Sequence, residues 1–269
     1  MEYHNDRFED FSLLVFDEKG KIKAVMPANR VGNTVYSHQG LTYGGLVVEK
    51  SHNPINTPIL LDSILNFIKK ESIKEVFIKI IPTIYCKSSS QDFDYYLLKK
   101  GGQLFHREMN LIVDLKSEWN LSKSKLKHFK KVENFLELRE DYDFSNFWNN
   151  VLVPRLQEKY KTAPVHNLAE IEKLKRMFDS NIKQYSAFYN DKIVAGVTIF
   201  MCNQVVKSQY GIATNEGEQL RALDFIFIKL IQKYKNEGQL IFDMGTVGTN
   251  EGLLNQKVEL GCAVINNDI

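Results

Sequence analysis

The sequence predicts an α+β protein in which one folding unit occurs twice. Each copy opens with two apolar runs around a polar turn, and turn residues between alternating apolar runs are a hairpin signal. A third apolar run, a helical segment and a fourth apolar run follow in both copies. A helix between the third and fourth strands is the crossover that joins parallel neighbours. The repeated order of elements favours two small domains.

The two copies place these elements as follows. In the first copy, the predicted strands are 12–16, 22–26, 33–40 and 75–80, with a turn at 17–21 and a crossover helix at 60–70. In the second copy, the predicted strands are 185–189, 194–200, 203–212 and 239–243, with a turn at 190–192 and a crossover helix at 219–235.

The segment between the copies contains a predicted strand, 103–115, whose alternating apolar residues are expected to close the first sheet. Residues 116–120 follow as the boundary, which gives a first domain of residues 1–117 and a second of residues 118–269. The second domain then continues with predicted helices at 122–133, 144–160 and 168–178 and a short strand at 135–139.

Two side chains define the ends or bends of these helices. Pro154 lies inside the segment 144–160 and is expected to kink or split it, because proline lacks a backbone N–H and clashes with the preceding turn. Asn167 is a good N-cap for the next helix, and Glu170 lies in the first turn, where the helix dipole favours an acid.

Composition excludes several classes of protein. A formal charge of +2 over 269 residues lacks the basic excess that drives sequence-independent nucleic-acid binding. The three cysteines, Cys86, Cys202 and Cys262, are far apart and odd in number, so they predict neither a disulfide framework nor a metal site. The first six residues have no signal-peptide layout, and no apolar run approaches the ~20 residues of a membrane span. We expect a cytoplasmic protein without a metal.

Six blocks of the sequence together resemble a known family. They are residues 36–46 (Tyr-Ser-His-Gln-Gly-Leu-Thr-Tyr-Gly-Gly-Leu), 164–166, 208–212, 221–225, 242–246 and 250–262. They resemble the tandem family with the GCN5-related N-acetyltransferase (GNAT) fold. That family includes the Fem-type peptidoglycan aminoacyltransferases and a BioF2-like acetyltransferase group often found near polysaccharide genes. The resemblance implies two GNAT-like domains with the working cleft between them, a degenerate first domain on the acceptor side and a donor-binding second domain.

N-acyl transfer needs a neutral amine, a group that takes its proton and a way to protonate the leaving group. His38 is the candidate base, because histidine titrates near neutrality and a Gly44–Gly45 pair follows that lets backbone approach a ligand. Tyr210 is the candidate for protonating the leaving group, and Asp243 for orienting the amine. A hydrogen-bonded structural histidine, a packed tyrosine and a loop-capping carboxylate stay open as alternatives.

The predicted donor is acetyl-CoA or another acyl-CoA. Its candidate contacts are Gln209, Thr214, Asn215, Gly217 and Arg221. The loop 214–222 departs from the family pattern, since it has one glycine and two glutamates, and these carboxylates would repel a pyrophosphate. Arg221 is expected to compensate for them, and an exposed first-turn arginine stays open as the alternative.

The acceptor is predicted to be a small-molecule amine. Its candidate contacts are Tyr36, Gln39 and Lys257, and an exposed helical lysine is the alternative for the last. His166, although it matches a family block, is interpreted as structural, fixing the entry of the helix after it.

Three functions stay open. The first is an acyl-CoA-dependent N-acyltransferase acting on an amino sugar, nucleotide-linked or free, in surface-polysaccharide synthesis. The second is a Fem-type ligase with an aminoacyl-tRNA donor, the one case in which nucleic acid is a partner; the sequence lacks the long helical arm of such relatives, which favours the first function. The third is a non-catalytic binding module on the same fold.

Overall fold

The computed structural model describes residues 6–87 and 91–269, which fall into two compact units. Unit 1 extends to Glu108 and includes Asn266–Ile269, and unit 2 is Met109–Ile265. The boundary predicted after residue 117 lies inside unit 2. The expectation about the first six residues concerns mostly residues 1–5, which are outside the described part. Among the described residues, no helix is long and apolar enough to cross a membrane.

Unit 1 combines short strands with two α-helices. The strands are β1 (Glu9–Asp10), β2 (Leu13–Phe16), β3 (Ile22–Met26), β4 (Asn29–Val31), β5 (Thr34–Tyr36), β6 (Val47–Val48) and β7 (Glu75–Phe77), and the helices are α1 (Thr57–Lys70) and α2 (Asp92–Lys99). One sheet has the strand order β1-β4-β5-β7 and another the order β2-β3-β6.

The pairing in unit 1 confirms the predicted hairpin and crossover. Strands β2 and β3 pair antiparallel, and β5 pairs with β7 in parallel across α1. Pro27 separates β3 from β4, which fits the inability of proline to donate to a strand ladder. Helix α1 buries Leu60, Leu61, Ile64 and Ile68 on one face, so this stripe supplies the unit's core against the sheets.

Unit 2 is built on a larger sheet. Its strands, of which β8 and β14 extend a few residues beyond its bounds, are β8 (Arg107–Asp114), β9 (Glu137–Asp141), β10 (Ile182–Tyr189), β11 (Lys192–Cys202), β12 (Val205–Ala213), β13 (Ile241–Thr246) and β14 (Ala263–Asp268). Its helices are α3 (Lys123–Val132), α4 (Ser145–Phe147), α5 (Val153–Tyr160), α6 (Leu168–Met177), α7 (Asn215–Gln219), α8 (Ala222–Asn236) and α9 (Glu251–Glu259). The strand order is β14-β8-β13-β12-β11-β10-β9.

Unit 2 repeats the pairing of unit 1. Strands β10 and β11 form an antiparallel hairpin whose turn residues Asn190 and Asp191 both have positive φ, as a tight hairpin turn requires. Strand β12 pairs antiparallel with β11 and parallel with β13, across α8. Both units thus have the α+β arrangement that the sequence predicts.

The prediction that residues 103–115 close the first sheet was wrong. The strand is β8, and it pairs with β13 in the sheet of unit 2, with Val113 opposite Phe242. Residues 110–113 are buried without alternation, which is typical of a central strand covered on both faces. The apolar residues of this segment therefore do not define one buried face, because the strand is buried on both faces.

Both faces of the large sheet carry helices. Helix α8 packs on one face, where Phe225, Ile226 and Ile231 belong to the main core cluster. On the other face, Trp148 and Leu152 belong to a second cluster together with residues of β12. As predicted, Pro154 disturbs its helix: residues 148–152 form a π-helical turn between α4 and α5.

Candidate functional site

The parallel strands of unit 2 pair over a short length and then part. Val205–Lys207 of β12 lie beside Ile241–Asp243 of β13. Strand β12 continues to Ala213 and β13 to Thr246, and no further pairing between the two strands occurs in the described part of the chain. A gap therefore opens in the sheet immediately beyond Lys207 and Asp243.

A β-bulge lies on the wall of this gap. Tyr210 is opposite Thr198 of β11, whereas Ser208 is opposite Ile199, so Gln209 is the extra residue of the bulge. The backbone of a bulged residue is left out of the ladder. Because β13 has already diverged at this point, β12 has no strand partner on that side beyond Lys207 in the described part of the chain.

Asp243 and Lys207 form the closed end of the gap. The Asp243 carboxylate is fully buried and accepts hydrogen bonds from Asn110 Nδ2 (2.9 Å) and the Gly245 amide (2.8 Å). Lys207 Nζ lies 3.3 Å from its second oxygen. A buried carboxylate with these partners is satisfied. The contacts fit the loop-capping alternative, and the role of Asp243 in orienting an amine stays a prediction.

Lys257 holds the C-terminal end of β13. Its Nζ donates to the carbonyl oxygens of Met244 (2.7 Å), Gly245 (3.0 Å) and Thr246 (3.0 Å), which uses all three donors of an ammonium group. Burial lowers the pKa of Lys257 to about 8. The side chain is buried, so the alternative of an exposed lysine was wrong. A phosphate contact, which stays a prediction, would require these bonds to break.

The donor loop is folded as the short helix α7. Thr214 caps it, since its Oγ1 accepts from the Gly217 amide at 3.0 Å and donates to the Val194 carbonyl at 3.2 Å. A Cβ on Gly217 would lie 2.0 Å from that same carbonyl oxygen. Thr214 and Gly217 thus let the loop sit directly on β11, which explains the glycine without a ligand.

Arg155 of α5, which the sequence did not single out, sets the charge of this loop. Its guanidinium is buried and donates to the Ala213 carbonyl (3.0 Å), Asn215 Oδ1 (2.8 Å) and Glu218 Oε1 (2.8 Å). Lys159 Nζ also lies 2.8 Å from Glu218 Oε1. Lys159 and then Arg155 lower the pKa of Glu218. The expected repulsion by Glu218 is therefore wrong: the carboxylate is ionised but already neutralised by two cations.

The start of α8 opens onto a cavity of about 480 Å³. By the geometry of a helix, the amides of Ala222, Leu223 and Asp224 have no intrahelical acceptor. Arg221 precedes them with a φ of 47°, and its exposed side chain has no hydrogen bond or ion pair among the residues that the structure describes. Free amides, the positive end of the dipole and a guanidinium suit an anionic group. These residues fit the phosphates of an acyl-CoA.

A buried ion pair forms one side of the same cavity. Lys125 Nζ of α3 lies 2.6 Å from Asp224 Oδ2 of α8, and Gln256 Nε2 of α9 donates to Asp224 Oδ1 at 2.8 Å. All three residues line the cavity. The acid in the first turn of α8 is thus compensated by a lysine of α3.

Tyr210 points to the opposite face of the sheet from α8. Its ring packs edge-on against Trp148, with centroids 5.3 Å apart. Its hydroxyl accepts the backbone N–H of His166 at 3.1 Å and lies 2.6 Å from His166 Nδ1. The sequence interpreted His166 as a structural residue at a helix entry and missed this pairing, because 44 residues separate the two side chains.

The candidate residues of unit 1 make contacts within the unit. His38 is buried, its Nδ1 accepts from the Gly40 amide at 3.0 Å, and Phe8 packs edge-on against the ring. Gln39 exchanges two hydrogen bonds of 2.8 Å with Asn29. Tyr36 stacks on Phe77. These contacts fit the structural alternative for His38. A catalytic role, and a cleft shared with the second unit, stay predictions.

The gap that opens in unit 2 is filled in unit 1. Beyond Tyr36 and Phe77, the Ser37 amide donates to the Phe77 carbonyl and the Lys79 amide to Ser37 Oγ, both at 2.9 Å. A Cβ on Gly44 would lie 1.3 Å from the Ser37 carbonyl oxygen. The expectation that the glycine pair admits a ligand was wrong for Gly44, since the approaching backbone is the chain's own.

No group of three or more histidine, cysteine, aspartate or glutamate side chains that could hold a metal ion occurs in residues 6–87 and 91–269. The thiol nearest the site, Cys262, has its pKa raised to about 12 by burial, so it is a poor nucleophile.

No protein-family model matches the chain, and no curated protein matches its sequence. Solved structures do match its fold. FemX has a TM-score of 0.71 at 12% identity, over 99% of this chain and 89% of that one. L-PGS from Bacillus licheniformis has a TM-score of 0.66 at 13% identity, over 96% and 82%. A tandem GNAT protein from the clavulanic acid biosynthesis pathway has 0.57 at 9% identity, over 96% and 80%.

Structural matches at identities this low show similarity of fold alone, and these matches cover 96% of this chain or more. The chain therefore has the tandem GNAT fold, similar to that of FemX and L-PGS.

Proposed function

We propose that the protein is an N-acyltransferase whose second unit binds an acyl-CoA and transfers the acyl group to a primary amine. The observation that carries the proposal is the gap between β12 and β13, which begins at Lys207 and Asp243, passes the bulge at Gln209 and continues toward the cavity at the start of α8. A slot with an unpaired strand edge along one wall and free helix amides at its end suits an extended donor that carries phosphates.

The donor supplies an acyl group on a sulfur leaving group. The chain contributes amides and Arg221 at the start of α8, with Glu218 neutralised by Arg155 and Lys159. The acceptor of the proposal is an amino sugar, nucleotide-linked or free, as in surface-polysaccharide synthesis. The resemblance of the sequence blocks to the BioF2-like group supports this choice. A formal charge of +2 gives little support to an aminoacyl-tRNA donor.

Calorimetry with acetyl-CoA tests the donor. We expect Arg221→Ala to weaken binding by about 1.5–3 kcal/mol, the range for a hydrogen bond to a charged group. Arg176→Ala is the control, because Arg176 is also an exposed arginine but does not line the cavity. It should leave the affinity unchanged.

Two outcomes would contradict the proposal. If the unaltered protein does not bind acetyl-CoA or a longer acyl-CoA but retains an aminoacyl-tRNA on a filter, the donor is an aminoacyl-tRNA. If it binds neither, the protein is a binding module that kept the fold without the reaction.

A further inference from the structure

A second cavity, of about 750 Å³, lies against β7 in unit 1. Its other walls come from α2, the segment 101–105, Arg107 and Asp268, and every residue that lines it belongs to unit 1. It shares no residue with the cavity at the start of α8. A volume in this range suits a small molecule.

Apolar side chains form much of the lining of this unit 1 cavity. Leu98, Leu104 and Phe105 all line it, although 63%, 51% and 71% of their surfaces are exposed. Phe105 packs edge-on against Phe77 of β7, with ring centroids 4.9 Å apart. Exposed apolar groups that are gathered in one place mark binding sites, whereas scattered ones are normal on a protein surface.

A smaller cavity of about 140 Å³ adjoins the unit 1 cavity. The two share Val76, Ile78, Leu97 and Gly102 in their linings. Apart from Lys100, the smaller cavity is lined by apolar side chains and glycine. An apolar cavity of about 150 Å³ is large enough to hold benzene. The smaller cavity therefore has room for the end of an apolar group.

One carboxylate in the lining of the unit 1 cavity has no counter-charge. Arg107 donates two hydrogen bonds of 2.7 Å to the carboxylate of Asp268, so these two charges neutralise each other. Lys74 and Glu75, which are neighbours of opposite charge, are both exposed. The remaining ionisable side chain of the lining is Asp94. Asp94 has no hydrogen bond or ion pair among the residues that the structure describes, so the excess negative charge belongs to it.

The surroundings of Asp94 disfavour its charged form. Burial, and after it the charges of Asp268 and Asp92, raise the pKa of Asp94. Asp92 itself accepts a hydrogen bond from Thr57 Oγ1, and its carboxylate lies 3.6 Å from His52 Nε2. Asp94 is the acid of this group that a cation in the cavity would stabilise.

Helix α2 holds Asp94 in a fixed place. Asp92, the first residue of the helix, bonds Thr57 of α1, and Lys100, which follows its last residue, pairs with Asp62 of α1. The helix is thus tied to α1 at both ends. A group on a fixed element loses little conformational entropy when a ligand binds.

We propose that the unit 1 cavity binds a small organic amine, whose ammonium group pairs with Asp94 and whose apolar ring or chain packs on Leu104 and Phe105. The inference does not depend on the proposed acyl transfer, because it rests on unit 1 alone. An ammonium group and a carboxylate form a charge-assisted hydrogen bond, roughly twice as strong as a neutral one. A neutral ligand leaves the charge of Asp94 uncompensated, and an anion is repelled by it.

Three probes with the same apolar body separate the effect of charge from that of apolar contact. They are 4-phenylbutylamine, 4-phenylbutan-1-ol and 4-phenylbutanoate, which near neutral pH carry a positive charge, no charge and a negative charge. We expect calorimetry with the full chain to give an affinity for the amine about tenfold above that for the alcohol, the effect of one hydrogen bond to a charged group. The anion should bind more weakly than the alcohol.

Two variants divide that affinity into its parts. Asp94→Asn keeps the shape of the side chain, so it should lower the affinity for the amine about tenfold, to that of the alcohol, and leave the alcohol unchanged. Phe105→Ala removes apolar contact area and should weaken the amine and the alcohol by the same factor, about threefold or more. Glu71→Gln is the control, because Glu71 is an exposed acid of unit 1 that lines neither cavity.

Thermal unfolding checks the fold of the Asp94→Asn variant. It should be at least as stable as the unaltered protein at neutral pH, because a raised pKa means that the charged carboxylate opposes folding. A clear loss of stability would show that the carboxylate already has a partner in the fold, and the proposal would fail.

Three binding results would also overturn the proposal. Equal affinities for the amine and the alcohol would mean that the cavity binds apolar groups without regard to charge. A preference for the amine that persists in Asp94→Asn would place the ammonium group on another carboxylate. No binding of any probe up to its solubility limit would mean that the cavity is not a site for such amines. None of these results bears on acetyl-CoA, whose binding is measured separately.

Discussion

Lys257 shows how a charged residue can be retained in the interior of unit 2. Three backbone carbonyls surround its ammonium group, but burial still lowers its pKa from 10.5 to about 8. The unfolded chain therefore binds more protons than the folded protein between these two values. Stability must rise with pH in that window.

We predict that replacing Lys257 reveals this dependence. Relative to Lys257→Met, the free energy of unfolding of the parent should rise by about 3 kcal/mol between pH 8 and 10.5, at 1.36 kcal/mol per pKa unit. Cys262 opposes the trend, because its raised pKa makes stability fall with pH above 9. Both proteins should therefore carry Cys262→Ala. Urea unfolding at pH 7.5, 9 and 10.5 measures the difference, and a constant difference would contradict the prediction.

Gly217 offers a second test at the scale of one residue. A Cβ there would lie 2.0 Å from the Val194 carbonyl oxygen, so Gly217→Ala must move α7 away from β11. We expect a loss of about 1–3 kcal/mol, typical of overpacking.

Gly252→Ala is the control for that substitution. Gly252 is exposed in α9, and the nearest atom to its Cβ would be 3.4 Å away. Alanine is the better helix former by up to about 1 kcal/mol. Urea unfolding should show opposite signs for the two variants, and equal effects would mean that the loop tolerates the added methyl.

At the scale of elements, one ion pair connects the three helices around the cavity. Lys125 of α3 meets Asp224 of α8, which also accepts from Gln256 of α9. Removing one partner of a buried pair leaves an uncompensated charge, which costs about 3–5 kcal/mol. The pair therefore fixes the start of α8, where the proposed donor phosphates bind.

We predict that a double-mutant cycle detects this link. Lys125→Met should cost about 3–5 kcal/mol. Lys125→Met combined with Asp224→Asn should cost less than the sum of the single changes by at least about 1 kcal/mol. The exposed pair Lys233–Glu237 on the same helix is the control, and its coupling should stay near 0.5 kcal/mol or below. Additive losses at the cavity would show that the two charges act independently.

The strands, turns and crossover helices that occur in both units could be predicted from local signals in the sequence. The turn at Asn190 and Asp191 and the crossover helices follow from residues close together in the chain. The partner of β8 could not be predicted in this way, because it depends on β13, more than a hundred residues later.

The candidate site shows the same limit. The sequence placed Gln209 and Tyr210 on the strand beside the gap, and it identified the helix that begins after Arg221. It did not find Arg155 or the partner of His166, since Glu218 and Tyr210 come into contact with them only after folding. The available signal was the spacing of Arg155 and Lys159, because basic residues four positions apart lie on the same face of a helix.

At the scale of the whole molecule, each unit has a parallel strand pair across a crossover helix, β5 with β7 and β12 with β13, but the units differ beyond that pair, where a donor would bind. The gap beyond β12 and β13 is open in unit 2, whereas Ser37 and Gly44 fill the corresponding space beyond β5 and β7 in unit 1. We therefore predict one donor per chain, with a calorimetric stoichiometry near one.

Hydrogen exchange locates the bound donor. Added acetyl-CoA should slow exchange at the start of α8 and along β12 and leave β5 and β7 unchanged. A stoichiometry of two, or protection of β5, would mean that the loop of unit 1 moves aside.

Residues 266–269 belong to unit 1, and this affects the order in which the two units can fold during synthesis. Asp268 accepts from the Ile80 amide, and Ile269 accepts from the Phe105 amide, so the N-terminal unit needs residues that leave the ribosome after all of unit 2. Domains usually fold from the N-terminus as synthesis proceeds. Unit 1 precedes nearly all of unit 2 in the chain, yet it can be completed only after translation has passed residue 265, when partners for the backbone of Ile80 and Phe105 become available.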